Sequence, residues 1–256
     1  MGQTAAVIII GNEVLSGKVR DANSPFLLEQ LHSLGVCVRR VEVIPDDIDE
    51  IAASVRQASE RFDHVFTSGG IGPTHDDLTL PGVARAFDVP LEKNAILARM
   101  VREYFGGEVT RAAERLAMLP SGAELTFIPK LAYPVMSMKN VFIFPGVPEL
   151  LRRKFEGIKE RFRQAPYYLV QIFVRDEENR IAGDLQACAA RFSGVEVGSY
   201  PRFDSSDYSV ELTLSGKDPE RLRQARSFLL SRLSSDRIVR TVGPEEQKEK
   251  SPCTSE

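Results

Sequence analysis

A glycine-rich loop in the first third of the sequence combines residue types that could hold a phosphate and a metal ion. The segment covers residues 67–79 and reads TSGGIGPTHDDLT. Its three glycines leave backbone N–H groups uncovered and let an anion approach them closely. The threonines add hydroxyl groups, and the two aspartates add carboxylates, which divalent cations prefer as ligands. The composition predicts a nucleotide or pyrophosphate site; a plain tight turn with an aspartate N-cap is the simpler alternative.

The roles within this loop follow from the chemistry of each side chain. Asp76 and Asp77 are the candidate metal ligands and catalytic carboxylates. Neighbouring residues rarely aim at one point, so the alternative for one of the pair is to cap the following helix. His75 is expected to be exposed to solvent rather than to act on a leaving phosphate. The candidate phosphate-binding residues are Ser68, Gly69, Gly70, Gly72, Thr74 and Thr79.

A second polar loop follows the first apolar run of the chain, residues 5–10, and reads GNEVLSGK over residues 11–18. It is not a P-loop, because five residues separate its glycines and a valine follows its lysine where Ser or Thr is required. Glu13 is a candidate second carboxylate or general base. Further candidate nucleotide-binding residues are Gly11, Ser16, Gly17 and Asn23, together with Pro145 and Gly146 in a later strand-to-helix turn.

The elements that position these loops alternate between strand and helix patterns. Strands are predicted at 5–10, 36–44, 65–67, 125–129 and 136–144, and helices at 23–34, 48–61 and 149–162, with further helices over 81–119. The alternation at the start implies right-handed crossovers and a parallel sheet with helices on both faces, a three-layer, Rossmann-like α/β fold. Ligands of such sheets bind at the carboxyl ends of the strands. The loops at 11–18, 45–47 and 68–77 are therefore expected at one edge.

Two predictions in this region depend on a single position or on spacing alone. Asp46 or Asp47 is expected to cap the helix that follows, and the alternative is a metal or ribose contact at the same sheet edge. Asp47 accordingly joins Glu13 as a candidate second carboxylate or base. Tyr104 and Phe105 follow a helical pattern and are predicted to lie in the core.

The pattern changes near residue 166. Strands are predicted at 167–174, 195–200, 208–215 and 238–242, with helices at 181–192 and 219–233. The order βαββαβ is typical of a ferredoxin-like domain. The sequence therefore predicts an α/β domain over residues 1–165, a ferredoxin-like α+β domain over 166–242 and a disordered, charged tail over 243–256.

Composition excludes several classes of protein. A net charge of −3 and a pI near 5.8 give no electrostatic footprint for nucleic acid. The apolar runs are too short to span a membrane, and no signal peptide is expected. The three cysteines lie too far apart in the sequence for a disulfide framework or a metal knuckle. A cytoplasmic protein is the expectation.

Residues 11–17, Asn23 and the segment 67–79 resemble the MoaB/Mog molybdopterin-binding domain family, and within it the CinA-like branch. Residues 116–123, 144–153 and 198–201 are similar to the amino-terminal region of eukaryotic FAD synthase. The resemblance extends over roughly residues 5–242. Neither the amidase domain of CinA proteins nor the adenylyltransferase domain of FAD synthase fits in this chain, so neither of those activities is expected.

The resemblance implies a metal-dependent hydrolase that cleaves the pyrophosphate bond of FAD or ADP-ribose. Mg²⁺, Mn²⁺ or Co²⁺ would be held by Asp76 and Asp77, and the chain would be a homo-oligomer. The molybdenum-cofactor branch of the family instead binds and adenylylates molybdopterin. A non-catalytic nucleotide-binding regulatory module is the third alternative.

Overall fold

The structure of the chain, a computed structural model, describes residues 2–202 and 207–243. Contacts divide the chain after Gln164 into two units. Residues 244–256, which make up nearly all of the tail predicted at 243–256, lie outside the described residues.

A six-stranded sheet forms the centre of the first unit. Its strand order is β2-β1-β3-β8-β7-β6. The first four strands pair in parallel, and β7 pairs antiparallel with both β8 and β6. Strands β4 and β5 form a separate antiparallel pair. The strands are β1 (Thr4–Ile10), β2 (Cys37–Ile44), β3 (His64–Ser68), β4 (Leu91–Lys93), β5 (Met118–Pro120), β6 (Glu124–Thr126), β7 (Val135–Met138) and β8 (Val141–Phe144).

Helices cover both faces of this sheet. Strand β1 shows why, because Ala6, Ile8 and Ile10 pack into one apolar cluster while the alternate residues Ala5, Val7 and Ile9 pack into another. The helices are α1 (Asn12–Leu15), α2 (Asn23–Ser33), α3 (Ile48–Arg61), α4 (Thr79–Ala86), α5 (Ala95–Tyr104), α6 (Arg111–Glu114) and α7 (Pro148–Glu156). The predicted three-layer α/β fold is confirmed.

Two local predictions in this unit are wrong. The single strand predicted at 136–144 is a hairpin of β7 and β8, whose turn places Lys139 at φ 52°. The side chain of Asn140 secures that turn by donating hydrogen bonds to the carbonyls of Ser59 and Phe62 at 3.0 and 2.8 Å. The region predicted as helices over 81–119 also contains the antiparallel pair of β4 and β5.

The second unit has the predicted ferredoxin-like order. Its elements are β9 (Tyr168–Val174), α8 (Glu178–Arg191), β10 (Glu196–Pro201), β11 (Val210–Gly216), α9 (Pro219–Arg232) and β12 (Ile238–Val242). They form an antiparallel sheet of order β10-β11-β9-β12. Ile172, Leu212 and Leu229 are fully buried where the two helices pack on one face of the sheet. Within residues 2–202 and 207–243, no helix has the length and apolar character that crossing a bilayer requires.

Candidate functional site

Glycine is required in the loop after β3 by a close backbone approach. Gly69 and Gly70 have φ angles of 112° and 61°, a region that L side chains rarely adopt. A Cβ on Gly69 would lie 2.0 Å from the carbonyl oxygen of Ile10, and one on Gly146 would lie 3.4 Å from the Cα of Gly69. The ends of β1, β3 and β8 therefore meet with no side chain between them.

Only some backbone donors of this loop remain available for an anion. The N–H of Gly69 donates to the Phe144 carbonyl at 3.1 Å, and the N–H of Gly72 donates to Asp77 at 2.6 Å. Among the hydrogen bonds of the described residues, none engages the N–H of Gly70 or of Ile71. The phosphate cradle predicted from three glycines is therefore narrowed to these two consecutive donors.

Thr79 holds the loop closed rather than facing a ligand. Its N–H donates to the Gly70 carbonyl at 2.9 Å, and its hydroxyl donates to the Gly69 carbonyl at 2.7 Å. Thr79 is completely buried, with 0% of its surface exposed. Its assignment as a phosphate-binding residue is corrected on this ground.

The two neighbouring aspartates have different surroundings. The Asp77 carboxylate accepts hydrogen bonds from the N–H of Gly72 and from both the N–H and the hydroxyl of Thr74, at 2.6, 2.7 and 2.5 Å. The side chain of Asp76 is 61% exposed, and His75 beside it is exposed as expected. The nearby Thr74 hydroxyl is the main cause that lowers the pKa of Asp76. Asp77 therefore organises the loop, and Asp76 offers an ionised carboxylate to solvent.

Neither aspartate caps α4. Leu78 stands at the N-cap of that helix, and no side chain caps it. The alternative prediction, that one of the two aspartates caps the following helix, is therefore wrong.

The turn after β2 contributes Asp46 to this edge, whereas Asp47 caps α3. The Oδ1 of Asp47 accepts from the N–H groups of Asp49 and Glu50 at 2.9 and 3.0 Å. The Oδ2 of Asp46 accepts from the N–H of Asn12 at 2.8 Å. Its Oδ1 lies 3.5 Å from the point that a Cβ on Gly70 would occupy. The predicted helix cap is therefore confirmed for Asp47, and Asp46 is the acid of this turn that lies beside the glycine loop.

Several negative charges converge around Asp46. Burial is the main cause that raises its pKa, and the charges of Glu13, Asp76 and Asp77 raise it further, although the N–H of Asn12 lowers it. Carboxylates that raise one another's pKa are mutually repulsive, and a cation among them relieves the repulsion. The predicted carboxylates of separate loops are thus brought together.

This cluster suits a cation that shares its ligands with a substrate. Within residues 2–202 and 207–243, no three His, Cys, Asp or Glu side chains already form a metal site. Mg²⁺ is commonly held by one or two carboxylates, with phosphate oxygens and water completing its shell. Asp46 and Asp76 fit such an ion, and metal binding here stays a prediction.

The predicted site residues of the loop at 11–18 lie at different distances from the glycine loop. Glu13 folds back over Gly11, since a Cβ on that glycine would lie 2.6 Å from the Glu13 Oε1, and Glu13 lines a cavity beside the glycine loop. Ser16 donates to the Glu13 carbonyl at 3.3 Å, and Gly17 turns the chain with a φ of 71°. Ser16 and Gly17 are not among the residues that line the cavity.

Buried polar residues fasten the floor of the site. The Nδ2 of Asn23 donates to the Ser68 hydroxyl at 2.9 Å and to the Gly146 carbonyl at 2.7 Å. The Ser68 hydroxyl donates in turn to the Pro145 carbonyl at 3.2 Å. Asn23 and Ser68, both predicted to contact a nucleotide, instead join the ends of α2, β3 and β8. Pro145 and Gly146 do line the cavity.

A cavity of about 590 Å³ opens beside the loop, and its opposite wall is mainly apolar. The Gly70 end of the cavity supplies free N–H groups and carboxylates. The uncapped N-terminus of α7 borders the same space, and its dipole favours an anion there. The apolar wall consists of Ile71, Met100, Val101, Tyr104, Phe105, Leu116, Val147 and Leu150.

Tyr104 and Phe105 belong to this wall and not to the core, which corrects their predicted place. They are 77% and 45% exposed, and their rings meet edge to face at 5.1 Å. Exposed aromatic rings beside a cavity can stack on a planar ligand. Sequence spacing could not separate this wall from core, because both present apolar residues at helical intervals.

Lys154 and Tyr133 also line this cavity, and no sequence motif marks either residue as part of a site. The Nζ of Lys154 donates to the Pro134 carbonyl and lies 5.1 Å from the centre of the Tyr133 ring. Burial lowers the pKa of Lys154 to about 8. The Tyr133 hydroxyl donates to the Leu116 carbonyl, and burial raises the pKa of Tyr133 to about 12.

Comparison with protein families gives two matches. Residues 6–165 match the family described as probable molybdopterin binding domain, and residues 166–242 match the one described as FAD synthase, middle domain.

Individual relatives cover the chain to different extents. A protein of Archaeoglobus fulgidus is 34% identical over 221 residues, which cover 86% of this chain and 93% of that protein. A probable FAD synthase of Caenorhabditis briggsae is 32% identical over an alignment that covers 89% of this chain and 49% of the nematode protein. The chain thus spans about half the length of that relative. The crystal structure of CinA from Thermoplasma acidophilum, a protein of unknown function, has a TM-score of 0.58 and 31% identity, and the match covers 63% of this chain and 100% of that one.

Proposed function

This chain belongs to the probable molybdopterin-binding domain family, and on that premise we propose that it hydrolyses the pyrophosphate bond of a dinucleotide such as FAD or ADP-ribose. One observation carries the proposal. Free backbone donors, the carboxylate-bearing residue Glu13 and an aromatic wall line one cavity, and Glu13 belongs to the group of negative charges around Asp46. A ligand with phosphates at one end and a planar ring at the other matches that arrangement.

The residues of the chain divide the chemistry among them. The N–H groups of Gly70 and Ile71 hold a phosphate oxygen beside the N-terminus of α7. Asp46 and Asp76 would hold Mg²⁺, Mn²⁺ or Co²⁺. When bound, such an ion neutralises phosphate charge and makes water a better nucleophile.

Glu13 is the general base of the proposed reaction, because its carboxylate lines the cavity beside the loop. It takes the proton of a water molecule whose oxygen attacks one phosphorus atom. The bridging P–O bond breaks, and two monophosphates leave. FAD would give FMN and AMP, and ADP-ribose would give ribose phosphate and AMP.

A second candidate function is the binding of molybdopterin without hydrolysis. The two free N–H groups of Gly70 and Ile71 and the apolar wall of the cavity favour this candidate, because they suit a ligand with one phosphate and one planar ring. A pterin ring with one phosphate would use the same cradle and the same wall. Nucleotide binding without turnover would instead indicate a regulatory module.

The deciding experiment incubates the purified protein with FAD or ADP-ribose, with and without each of the three cations, and separates the products by chromatography. We expect monophosphates that appear only with metal, and chelation should stop their formation. Absence of cleavage of both dinucleotides under every condition would contradict the proposed hydrolase. Equilibrium binding of a pterin phosphate by that same preparation would then support the second candidate.

A further inference from the structure

Lys154 is a buried cation in the wall of the cavity, and the reaction proposed above does not use it. Only 5% of its surface is exposed. An ammonium group has three N–H donors, and Pro134 supplies the one acceptor that the described residues place within hydrogen-bonding distance of Nζ. No carboxylate of the described residues lies within 4.0 Å of it. Two donors of a buried charge are thus left without a protein acceptor.

Packing does not explain a lysine at this position. Burying an ammonium group without a carboxylate is costly, and the lowered pKa of Lys154 reports that cost. The Tyr133 ring at 5.1 Å and the Pro134 carbonyl offset part of it. A methionine would fill similar space without a charge. A ligand that accepts hydrogen bonds from the two free N–H groups would account for a lysine at this position.

The position of Lys154 along α7 indicates which part of a ligand it meets. Gly146 lies close to Gly69, since a Cβ on Gly146 would be 3.4 Å from the Cα of Gly69, and α7 begins two residues later at Pro148. Lys154 lies six residues after Pro148, which corresponds to about 9 Å along a helix axis. A ligand with its phosphate at Gly70 would therefore present its ring, rather than that phosphate, to Lys154.

We propose that Lys154 is a specificity-determining residue that donates hydrogen bonds to a carbonyl oxygen on the ring of the bound ligand. Flavin and pterin rings carry such oxygens, whereas adenine carries none and presents an amino group at its edge. A bound adenine would leave two N–H donors of Lys154 without an acceptor, and this lowers the affinity for adenine. The inference rests on the proposed function for the identity of the cavity as the ligand site, but it concerns ring selection and not hydrolysis.

Binding of FMN and of AMP tests this selection directly, because each carries one phosphate and the rings differ. The variants are K154M, K154R and the control K93M, whose exposed lysine pairs with Glu114 at the surface. We expect K154M to weaken FMN binding by about 10-fold, the loss of one charge-assisted hydrogen bond, and to leave AMP binding unchanged. K154R should retain most of the preference, and K93M should match the wild type.

A pH series separates ligand contact from support of the wall. FMN affinity of the wild type should decline as the pH rises through about 8, where Lys154 loses its proton. The K154M profile should be flat. The other titratable groups that line the cavity are Glu13, Asp77, Tyr104 and Tyr133, and burial raises the pKa of Tyr133 to about 12, beyond the tested range.

Each outcome bears on one proposal. Equal losses of FMN and AMP in K154M, unchanged FMN binding in K154M, or no FMN binding by the wild type would overturn ring selection by Lys154. Selective, Lys154-dependent FMN binding without cleavage of either FAD or ADP-ribose would leave this inference standing and overturn the hydrolase. Cleavage of FAD, together with equal losses of FMN and AMP binding in K154M, would support the hydrolase and overturn ring selection by Lys154.

Discussion

The carboxylate of Asp77 and the backbone N–H of Gly72 are joined by a hydrogen bond of 2.6 Å within one loop. A second oxygen of Asp77 accepts from the N–H of Thr74 at 2.7 Å. Asp76, the preceding residue, makes its side chain available to solvent. Two adjacent acids of the same type thus differ in their surroundings: Asp77 holds the loop together, whereas Asp76 faces solvent.

Substitution should separate those roles. In D77N, an amide NH₂ replaces one acceptor and faces a backbone N–H, so we expect the free energy of unfolding to fall by about 1–3 kcal/mol. Nucleotide binding should weaken along with it. D76N should unfold like the wild type and bind nucleotide in the absence of metal, yet lose metal-dependent turnover. Urea unfolding and calorimetric titration measure both effects. A D76N protein that hydrolyses FAD at the wild-type rate would refute the role of Asp76.

Asp46 and Asp47 form a matched pair of neighbouring acids. D46N removes a carboxylate from the converging cluster, and we expect metal-dependent turnover to fall by about 100-fold. D47N keeps an efficient N-cap on α3, because asparagine caps about as well as aspartate, so its turnover should remain that of the wild type. Initial rates at saturating metal give the comparison. Equal rates for the two variants would remove Asp46 from the site.

The pH dependence of turnover provides a second check on Asp46. Its pKa is raised in the folded protein, so protonation begins at a higher pH than for an ordinary aspartate. Turnover should therefore decline on acidification at a higher pH than an ordinary aspartate would give, and added metal should shift the decline to lower pH, since cation and proton compete. Rates measured across the acidic range at several metal concentrations would show this. A decline that is independent of metal concentration would contradict it.

Gly69 should tolerate no side chain. The Cβ of G69A would lie 2.0 Å from a backbone oxygen at a φ of 112°, and we expect a loss of stability on the order of 3 kcal/mol with loss of nucleotide binding. The control is G183A in α8, where a Cβ meets nothing within 4 Å and alanine favours helix by about 0.5–1 kcal/mol. Denaturant unfolding distinguishes the two. Wild-type stability in G69A would show that the two backbones separate at little cost.

Lys154 should reduce stability at neutral pH. Its pKa is about 8 in the folded chain against 10.5 in the reference state, so the unfolded chain binds more protons between those values and stability rises with pH there. K154M removes the buried charge. We expect it to be more stable than the wild type by about 1–3 kcal/mol near pH 7, with the difference shrinking near pH 10. Unfolding curves at both pH values test the trend, and a destabilised K154M would show that the ammonium group supports the wall.

The sheet and the edge that carries the site could be predicted because strong local signals specify them. The β-branched run at Ala5–Ile10 and the glycines after β3 admit few other structures. The sequence predicts one strand in place of the hairpin of β7 and β8, because the turn at Lys139 and Asn140 contains no glycine to mark it.

The finer assignments failed for reasons of register and distance. Asp46 and Asp47 exchange roles if the helix begins one residue earlier, and sequence does not fix a helix start that closely. Tyr133 and Lys154 enter the cavity from the segment before β7 and from α7, so no short motif could link them to the glycine loop. Tyr104 and Phe105 are predicted to lie in the core because the apolar wall of a cavity and a buried core use the same residue types.

The close backbone approach at Gly69 and Gly146 has an evolutionary consequence. The cradle consists of main-chain atoms, so point substitutions at most other positions leave its donors intact. The wall consists of side chains, most of them from α5, α7 and the residues next to these helices, and each can be exchanged singly. With the proposed function, descendants of one ancestral gene can diverge in the rings that they accept while the main-chain donors for phosphate stay the same.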